Sequence, residues 1–258
     1  APYLHLETSP VERLRVTAGL RYDYARYALE NRFAAGPMTG GYYQPADTAV
    51  DFSRLSPKLG VTWALTPVSH LFASYNQGFR TPSENQLFRA GASAAAQVDA
   101  ALALKPILAE QFEAGIRGNL DGWQYEAVAY LLNKQDDLLG QRDASGVTVQ
   151  TNNGSTRHKG VELGLGRQLA AQWRLDAAAS YAVHRYVDWV GSGFDYSGKE
   201  VEAAPRVMSN VRVSWTPRRG TFAQLEWVHL GSYYLEASNQ LGKYPGHDLF
   251  NLRVTQAI

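Results

Sequence analysis

The sequence predicts an all-β chain, a wall of about eleven antiparallel strands wound up and down as in a transmembrane β-barrel. Three observations predict it. Apolar and polar residues alternate with a period of two over one stretch after another, the spacing of a strand with two different faces. The connections alternate between short turns, near residues 9, 66, 119, 169 and 217, and long loops, near 28, 80, 134, 187 and 235. Short turns on one rim and long loops on the other are the pattern of an up-and-down membrane barrel. Tryptophan (6) and tyrosine (15) are plentiful among the 258 residues and fall near strand ends, where such rings suit a membrane interface.

Composition agrees. No run of 18 apolar residues is present, so no membrane helix is expected, but a spanning strand needs only alternate residues to be apolar. Mean hydropathy of -0.31 fits such a wall as well as it fits a soluble protein. The net charge is +1, which gives no electrostatic ground for nucleic acid as a partner. Cysteine is absent, so disulfides and thiolate metal sites are excluded.

Residues 3–7 read as the end of a strand, and Ser9 to Arg13 as a tight turn. From Leu14 to Tyr24, Leu14, Val16, Ala18, Leu20, Tyr22 and Tyr24 share one face; Arg15, Thr17, Gly19, Arg21 and Asp23 share the other. An insertion over 28–52 precedes a strand from Lys58 to Leu65, then a turn at 66–70 and a strand from Leu71 to Phe79. The stretch Asn76–Phe88 is where that strand leaves the wall. Pro82 cannot donate to a ladder and disfavours helix at Thr81, so regular pairing should stop there. The Ala-rich segment 90–104 of the following loop is either a short helix or a spacer.

The rule then repeats. Gln111–Gly118 is a strand, Asp121-Gly122 a hairpin turn, and Trp123–Asn133 a strand. A polar loop over 134–146 leads to a long strand from Val147 to Arg167, with a bend expected at Asn152-Asn-Gly154. After a turn at 169–172, Trp173–Tyr186 alternates most clearly. A Gly-rich loop over 187–204, strands Val207–Trp215 and Thr221–Leu230, and a last strand Leu249–Ala257 complete the wall.

If the apolar face meets lipid, the other face lines a lumen. It carries Arg15, Arg21, Asp23, Glu113, Arg117, Glu126, Glu162, Arg174, Asp176, Arg212 and Glu226, charges of both signs that can pair with each other, hold water or grip a plug. Catalytic chemistry is not expected. The six histidines (5, 70, 158, 184, 229 and 247) lack metal-ligand spacing, and Ser180 and His184 lie roughly 13 Å apart on one strand face. Asp136-Asp137 reads as solvated acid with cation attraction as the alternative, and Arg157-His-Lys159 as a polar strand entrance with anion binding as the alternative. The ligand-capture candidates lie in the loops: Tyr42, Tyr43, Arg80, Asn85, Arg89, Arg142, Trp189, Tyr196, Tyr233 and Tyr234, with Asn239 beside them. Arginines and aromatic rings on loops carried by a rigid wall suit an anionic or aromatic small molecule; a place at the lipid headgroup level or simple packing of the loops is the alternative for each ring.

Several motifs resemble one family. Gly78-Phe-Arg-Thr-Pro82 with Gln86-Leu-Phe88 is similar to the strand-to-loop motif of TonB-dependent outer-membrane receptors. Leu104-Lys-Pro106 with Glu110-Gln-Phe-Glu113, and Asp136-Asp-Leu-Leu139 with Asn152-Asn-Gly154 and Arg157-His-Lys-Gly-Val-Glu162, resemble its following signatures in the same order. Ala18-Gly-Leu-Arg-Tyr-Asp23 and Ser56-Pro-Lys-Leu-Gly60 match as well. The resemblance implies a 22-stranded barrel filled by an N-terminal plug, importing a ferric siderophore or similar scarce metal complex with energy passed by TonB. Residues 1–258 are then expected to be part of the barrel domain, with plug and closing strands absent. The implied partners are the metal complex, TonB through the plug, and outer-membrane lipid with its lipopolysaccharide. No resident cofactor or metal is expected. The alternatives are a passive porin-type channel and, behind it, a barrel enzyme.

Overall fold

Each short turn closes a hairpin, and the hairpins join edge to edge. The computed structural model describes residues 1–32, 34–37, 43–88, 95–142, 148–191 and 193–257, without the side chains at 141, 142, 148 and 149. Among the described residues the extended segments are β1 (Tyr3–Val11), β2 (Leu14–Leu29), β3 (Gly36–Pro37), β4 (Tyr43–Gln44), β5 (Thr48–Thr66), β6 (Ser69–Arg80), β7 (Ile107–Leu120) and β8 (Trp123–Arg142). They continue with β9 (Thr148–Ala170), β10 (Trp173–Gly191), β11 (Phe194–Asp195), β12 (Val207–Trp215), β13 (Thr221–Leu230), β14 (Tyr233–Tyr234), β15 (Lys243–Tyr244) and β16 (His247–Gln256). Two helices, α1 (Glu84–Leu87) and α2 (Ala95–Leu102), lie between β6 and β7, so the Ala-rich segment is helical over Ala95–Leu102.

The wall runs β1-β2-β5-β6-β7-β8-β9-β10-β12-β13-β16, with each strand antiparallel to the next. These are the eleven strands expected, in sequence order. Asp121 and Gly122 both take positive φ (49° and 81°), the backbone of a type I′ turn, whose twist matches that of the strands it joins.

Several strands outrun their expected bounds at the long-loop rim. β8 spans 20 residues and β9 spans 23, where about 9–11 suffice to cross a bilayer. The 134–146 segment is strand as far as Arg142, the 28–52 insertion is strand up to Leu29 and again from Thr48, and β10 reaches Gly191. β9 stays strand throughout, but its ladder is irregular where the bend was expected: Asp137↔Gly154 is followed by Leu139↔Thr151, so Asn152 and Asn153 face the single residue Leu138, and an extra residue in β8 between Lys134 and Asp137 compensates.

Burial is inverted relative to a soluble protein. Leu163 is 55% exposed, Leu225 51% and Trp63 41%. All belong to the apolar face, and no second layer covers it among the described residues. The other face borders a concavity of about 1010 Å³, lined by Thr17 of β2, Ser74 of β6, Glu126 of β8, Ser180 of β10 and Asn210 of β12. One sheet that brings β2 and β12 to the same hollow is curved.

The outward face is banded. Trp63, Trp123, Trp173 and Trp215 stand at the short-turn ends of their strands; Trp173 and Trp215 are cross-strand partners, stacked at 5.8 Å. Tyr22, Tyr75 and Tyr181 mark the other border. Tyr181 lies eight residues above Trp173 on β10, roughly 26 Å along the strand and about 20 Å along the membrane normal at a ~40° tilt. That is close to the ~25 Å apolar band of such barrels. Glycines on the inner face let rings lie flat across the sheet. A Cβ on Gly115 would sit 2.7 Å from the Phe72 ring and 2.4 Å from the Ala127 carbonyl.

Candidate functional site

The best-packed part of the molecule is the long-loop rim. Leu87 of α1 is 1% exposed and packs with Phe52 and Leu104, flanked by Tyr27, Val50, Phe88 and Leu138. Pro82 is also fully buried. The Tyr27 and Thr81 hydroxyls are hydrogen-bonded at 2.9 Å. The Ser83 N–H donates to Gln86 Oε1 at 2.9 Å, fixing the start of α1. The loop leaving β6 is therefore anchored, and it presents Arg80 and Asn85, both exposed, beside that anchor. Arg80 shares strand parity with Phe72, Ser74 and Asn76, which line the concavity; it stands on the inner face at the mouth.

Asn152 ties the far end of this loop down. Its Oδ1 accepts from the Lys105 N–H at 2.6 Å, and its Nδ2 donates to the Lys105 carbonyl at 3.0 Å and the Asp136 carbonyl at 2.7 Å. Two stretches singled out in the sequence, Leu104-Lys-Pro106 and Asn152-Asn-Gly154, thus meet in space. Sequence reasoning marked Asn152 but assigned it only a bend.

Asp136-Asp137 is not the solvated pair expected. Asp136 takes φ 53° in the β8 irregularity. Asp137 is 6% exposed, bonded to Lys134 Nζ at 2.5 Å and to the Thr156 hydroxyl at 3.3 Å. A buried carboxylate with a lysine and a hydroxyl on it is a structural pair. From Thr156 the chain continues to His158 Nε2 at 3.0 Å, and His158 Nδ1 meets His184 Nδ1 at 2.8 Å. Such a contact needs one donor and one acceptor nitrogen, so at least one ring is neutral. This contact takes up His184 Nδ1 and leaves Ser180 without it. Among the described residues no group of three or more His, Asp or Glu is placed to hold a metal ion.

Lumen charges pair across and along strands. Arg174 Nη2 lies 2.7 Å from Asp176 and 3.0 Å from Gln124 Oε1, Arg21 lies 2.7 Å from Asp23, and Glu113 accepts from Gln111 at 2.5 Å and Ser74 at 3.4 Å. Arg117 lies over the Phe72 ring at 5.3 Å. These exposed pairs are worth little individually, but they keep the lumen wall polar and wet.

The remaining loops form a second, aromatic lobe. Trp189 is 7% exposed, stacked on Tyr196 at 4.0 Å and packed on Tyr186 at 4.7 Å. Tyr233 packs on Tyr244 at 5.1 Å, and Lys243 Nζ sits 4.3 Å over the Tyr234 ring. Asn239 clamps this hairpin to the loop before β12: its Oδ1 accepts from the Glu200 N–H at 2.7 Å and its Nδ2 donates to the Glu200 carbonyl at 2.9 Å. Tyr43 is half-buried in the β3-β4 ladder. Tyr42 and Arg89 lie outside the described residues, as does the Arg142 side chain.

Glu236 closes the tip of that hairpin. The Ser238 hydroxyl and the backbone N–H groups of Leu241, Gln240 and Ser238 hold its carboxyl well below 4.5, at about 2. A depressed folded value gives a stabilisation that is complete above the unfolded value and lost as pH falls through the folded one. Amide protection over 236–241 should therefore hold from neutral pH to about 4.5 and fall as pH drops from there through about 2. Glu236→Gln should remove that acid-side dependence in hydrogen exchange. Equal pH profiles for the two proteins would refute the assignment.

A curved antiparallel wall, apolar outside and polar inside, with a packed cap of long loops on one rim, is the wall of a membrane β-barrel. The TonB dependent receptor-like, beta-barrel family matches residues 1–257; the chain belongs to that family, whose barrels sit in the bacterial outer membrane. Solved structures share the fold. One is the ferric yersiniabactin uptake receptor FyuA from Yersinia pestis, with 17% identity over 98% of this chain and 37% of that one, at a TM-score of 0.70. The copper transporter OprC gives 21% identity, 99% and 39% coverage, and a TM-score of 0.75. The ferric-catecholate import receptor Fiu from K12 E. coli gives 16%, 99% and 38%, and 0.69. The chain therefore spans less than two fifths of the length of each.

Proposed function

We propose that these residues form the C-terminal part of the barrel of a receptor that captures a ferric siderophore or a similar scarce metal complex. In this reading a plug domain elsewhere in the protein couples the barrel to TonB. The rim loops bind the complex from outside, and the wall supplies the passage and part of the site. The observation that carries the reading is Arg80, an exposed cation on the inner face of the mouth beside the buried Leu87 anchor. Iron-chelating groups are anionic oxygen donors, and a guanidinium held at a rigid edge can give such a group two parallel hydrogen bonds. Asn85, Tyr233, Tyr234 and Tyr196 supply hydrogen bonds and ring surface on neighbouring loops; Trp189 supports Tyr196 from beneath. Tyr42, Tyr43, Arg89 and Arg142 are the further candidates on these loops.

In the full receptor, Arg80→Gln should weaken binding of an anionic ferric chelate by roughly tenfold and leave the amount of folded receptor unchanged. Equal affinity in the two proteins removes Arg80 from the site. Energy coupling is tested by uptake of labelled chelate in cells with and without TonB. Equal uptake in both would favour a passive channel.

A further inference from the structure

The outward face of β9 and β10 carries a group of cations that neither the lumen nor the rim loops use. Strand register sets the rows. Gln77, Glu110, Asn133, Arg157 and Arg185 are successive cross-strand partners and form one outward row from β6 to β10. The row beneath is Tyr75, Phe112, Leu131, Lys159 and Val183, and the one below that ends in Val161 and Tyr181. The first row is thus the first polar level above the apolar band, on the long-loop side. Tyr181 and Val161 just below it are exposed.

Two arginines directly opposite one another on a sheet face bring Cβ atoms within about 4.5–5.5 Å, an arrangement that repels unless an anion lies between. Lys159 adds a third positive charge diagonally below, and its long stem can carry the ammonium up to the same level. Arg157 Nε donates to Asn133 Oδ1 at 2.8 Å, a neutral partner. Glu200 faces Arg185 across a backbone bridge, but its carboxylate is taken by Arg206 through both oxygens. Asp188 follows on the same face, opposite Ser155. Among the described residues no carboxylate lies within 4.0 Å of Arg157, Lys159 or Arg185.

We propose that Arg157, Lys159 and Arg185 form a docking site on the outside of the barrel for the phosphate groups of outer-leaflet lipopolysaccharide. Height, charge and geometry agree. Lipid phosphates lie just above the acyl region, where this row stands. Guanidinium groups bind phosphate through paired hydrogen bonds, and an anion between Arg157 and Arg185 relieves their repulsion. The acyl chains of the same molecule would lie on the exposed Val161, Leu163 and Tyr181 side chains below. The site depends on the orientation of the wall in the membrane and not on the identity of the cargo.

The test uses the full receptor, extracted in mild detergent from outer membranes, with bound lipopolysaccharide counted by mass spectrometry. The R157Q/K159Q/R185Q variant should carry roughly tenfold less than the parent. Arg167→Gln, which removes an outward cation stacked at 4.8 Å on Trp123 at the opposite rim, should carry as much as the parent. Folding is checked by the heat-dependent shift in gel mobility, and R157K/R185K, which keeps the charge, should retain most of the lipid. Delipidated parent receptor should rebind phosphorylated lipid A and bind its dephosphorylated form roughly tenfold less well. Equal lipid on folded parent and folded triple variant would overturn the site. So would full displacement by inorganic phosphate at equimolar concentration, which would make it a free-anion site. Chelate affinity measured on the same preparations reports separately on the receptor reading.

Discussion

Replacing Asn152 with alanine is expected to release the loop between β6 and β7 while leaving the wall standing. Three hydrogen bonds go with the side chain: one from the Lys105 N–H, one to the Lys105 carbonyl and one to the Asp136 carbonyl. Each contributes about 1 kcal/mol net, and a backbone group left without a partner costs more, so the local loss should be roughly 2–4 kcal/mol. That free energy belongs to the loop. β8 and β9 are paired residue for residue from Trp123↔Arg167 to Lys134↔Thr156, and this ladder does not involve the Asn152 amide. Hydrogen exchange at Lys105 should accelerate by about 30-fold or more, and limited proteolysis should cut between α2 and β7. Amides within β7 and β9 at the level of the membrane should exchange as before. If protection at Lys105 were unchanged, the clamp would carry no weight. If strand amides were lost as well, it would belong to the barrel rather than to the loop. Because Leu104 packs on Leu87 and Phe52, release at Lys105 should also loosen the support beneath Arg80. Chelate affinity of the full receptor should fall in the same variant.

How much of this was legible in the sequence depends on the solvent at each height. Between the Trp173 and Tyr181 levels, lipid on one side and water on the other force a period of two, and the strands are plain: Trp173–Tyr186 and Val207–Trp215 need no structure to be recognised. Above that level the outer face leaves the lipid, and what covers the inner face comes from segments distant in sequence. The run from Lys134 to Arg142 carries lysine, glutamine and two aspartates on both sides of the strand, so it reads as loop, yet it pairs with β9 through Arg142↔Thr148. The same reason hid Thr48–Pro57 of β5 and the top of β10. The loop anchor was visible in part, since Pro82 and the Leu87-Phe88 end marked where the strand stops. Its partners Phe52 and Leu104 were not, because nothing local to Leu87 says which segment will cover it. Asp137 shows the limit most clearly: it is buried and bonded to Thr156 on the neighbouring strand, 19 residues away. Trp189 was singled out for its chemistry, and its burial arises because Tyr196 folds back on it.

The largest loss of stability is expected from a charge placed halfway down the outer face. Leu165 of β9 pairs with Ala177 of β10, four residues from Trp173 and four from Tyr181, and so lies at the middle of the apolar band. Leu165→Arg in the full receptor should cost roughly 2–4 kcal/mol in denaturant unfolding from lipid vesicles. The same change at Val183, in the row that already holds Lys159, should cost at most about 1 kcal/mol. Depth dependence separates lipid from the other two surroundings a sheet face can have. Facing water, arginine would be tolerated at both positions. Under a second protein layer, arginine would be costly at both, and Leu165→Phe would cost about 1–3 kcal/mol by overpacking. Against fluid acyl chains Leu165→Phe should be close to neutral. Glu162→Gln, three residues away on the lumen side, should also change little, since its surroundings are water and other polar groups. A flat response to arginine along the strand would remove the membrane from this face. The receptor reading would then lose its passage, and the outward phosphate site its lipid.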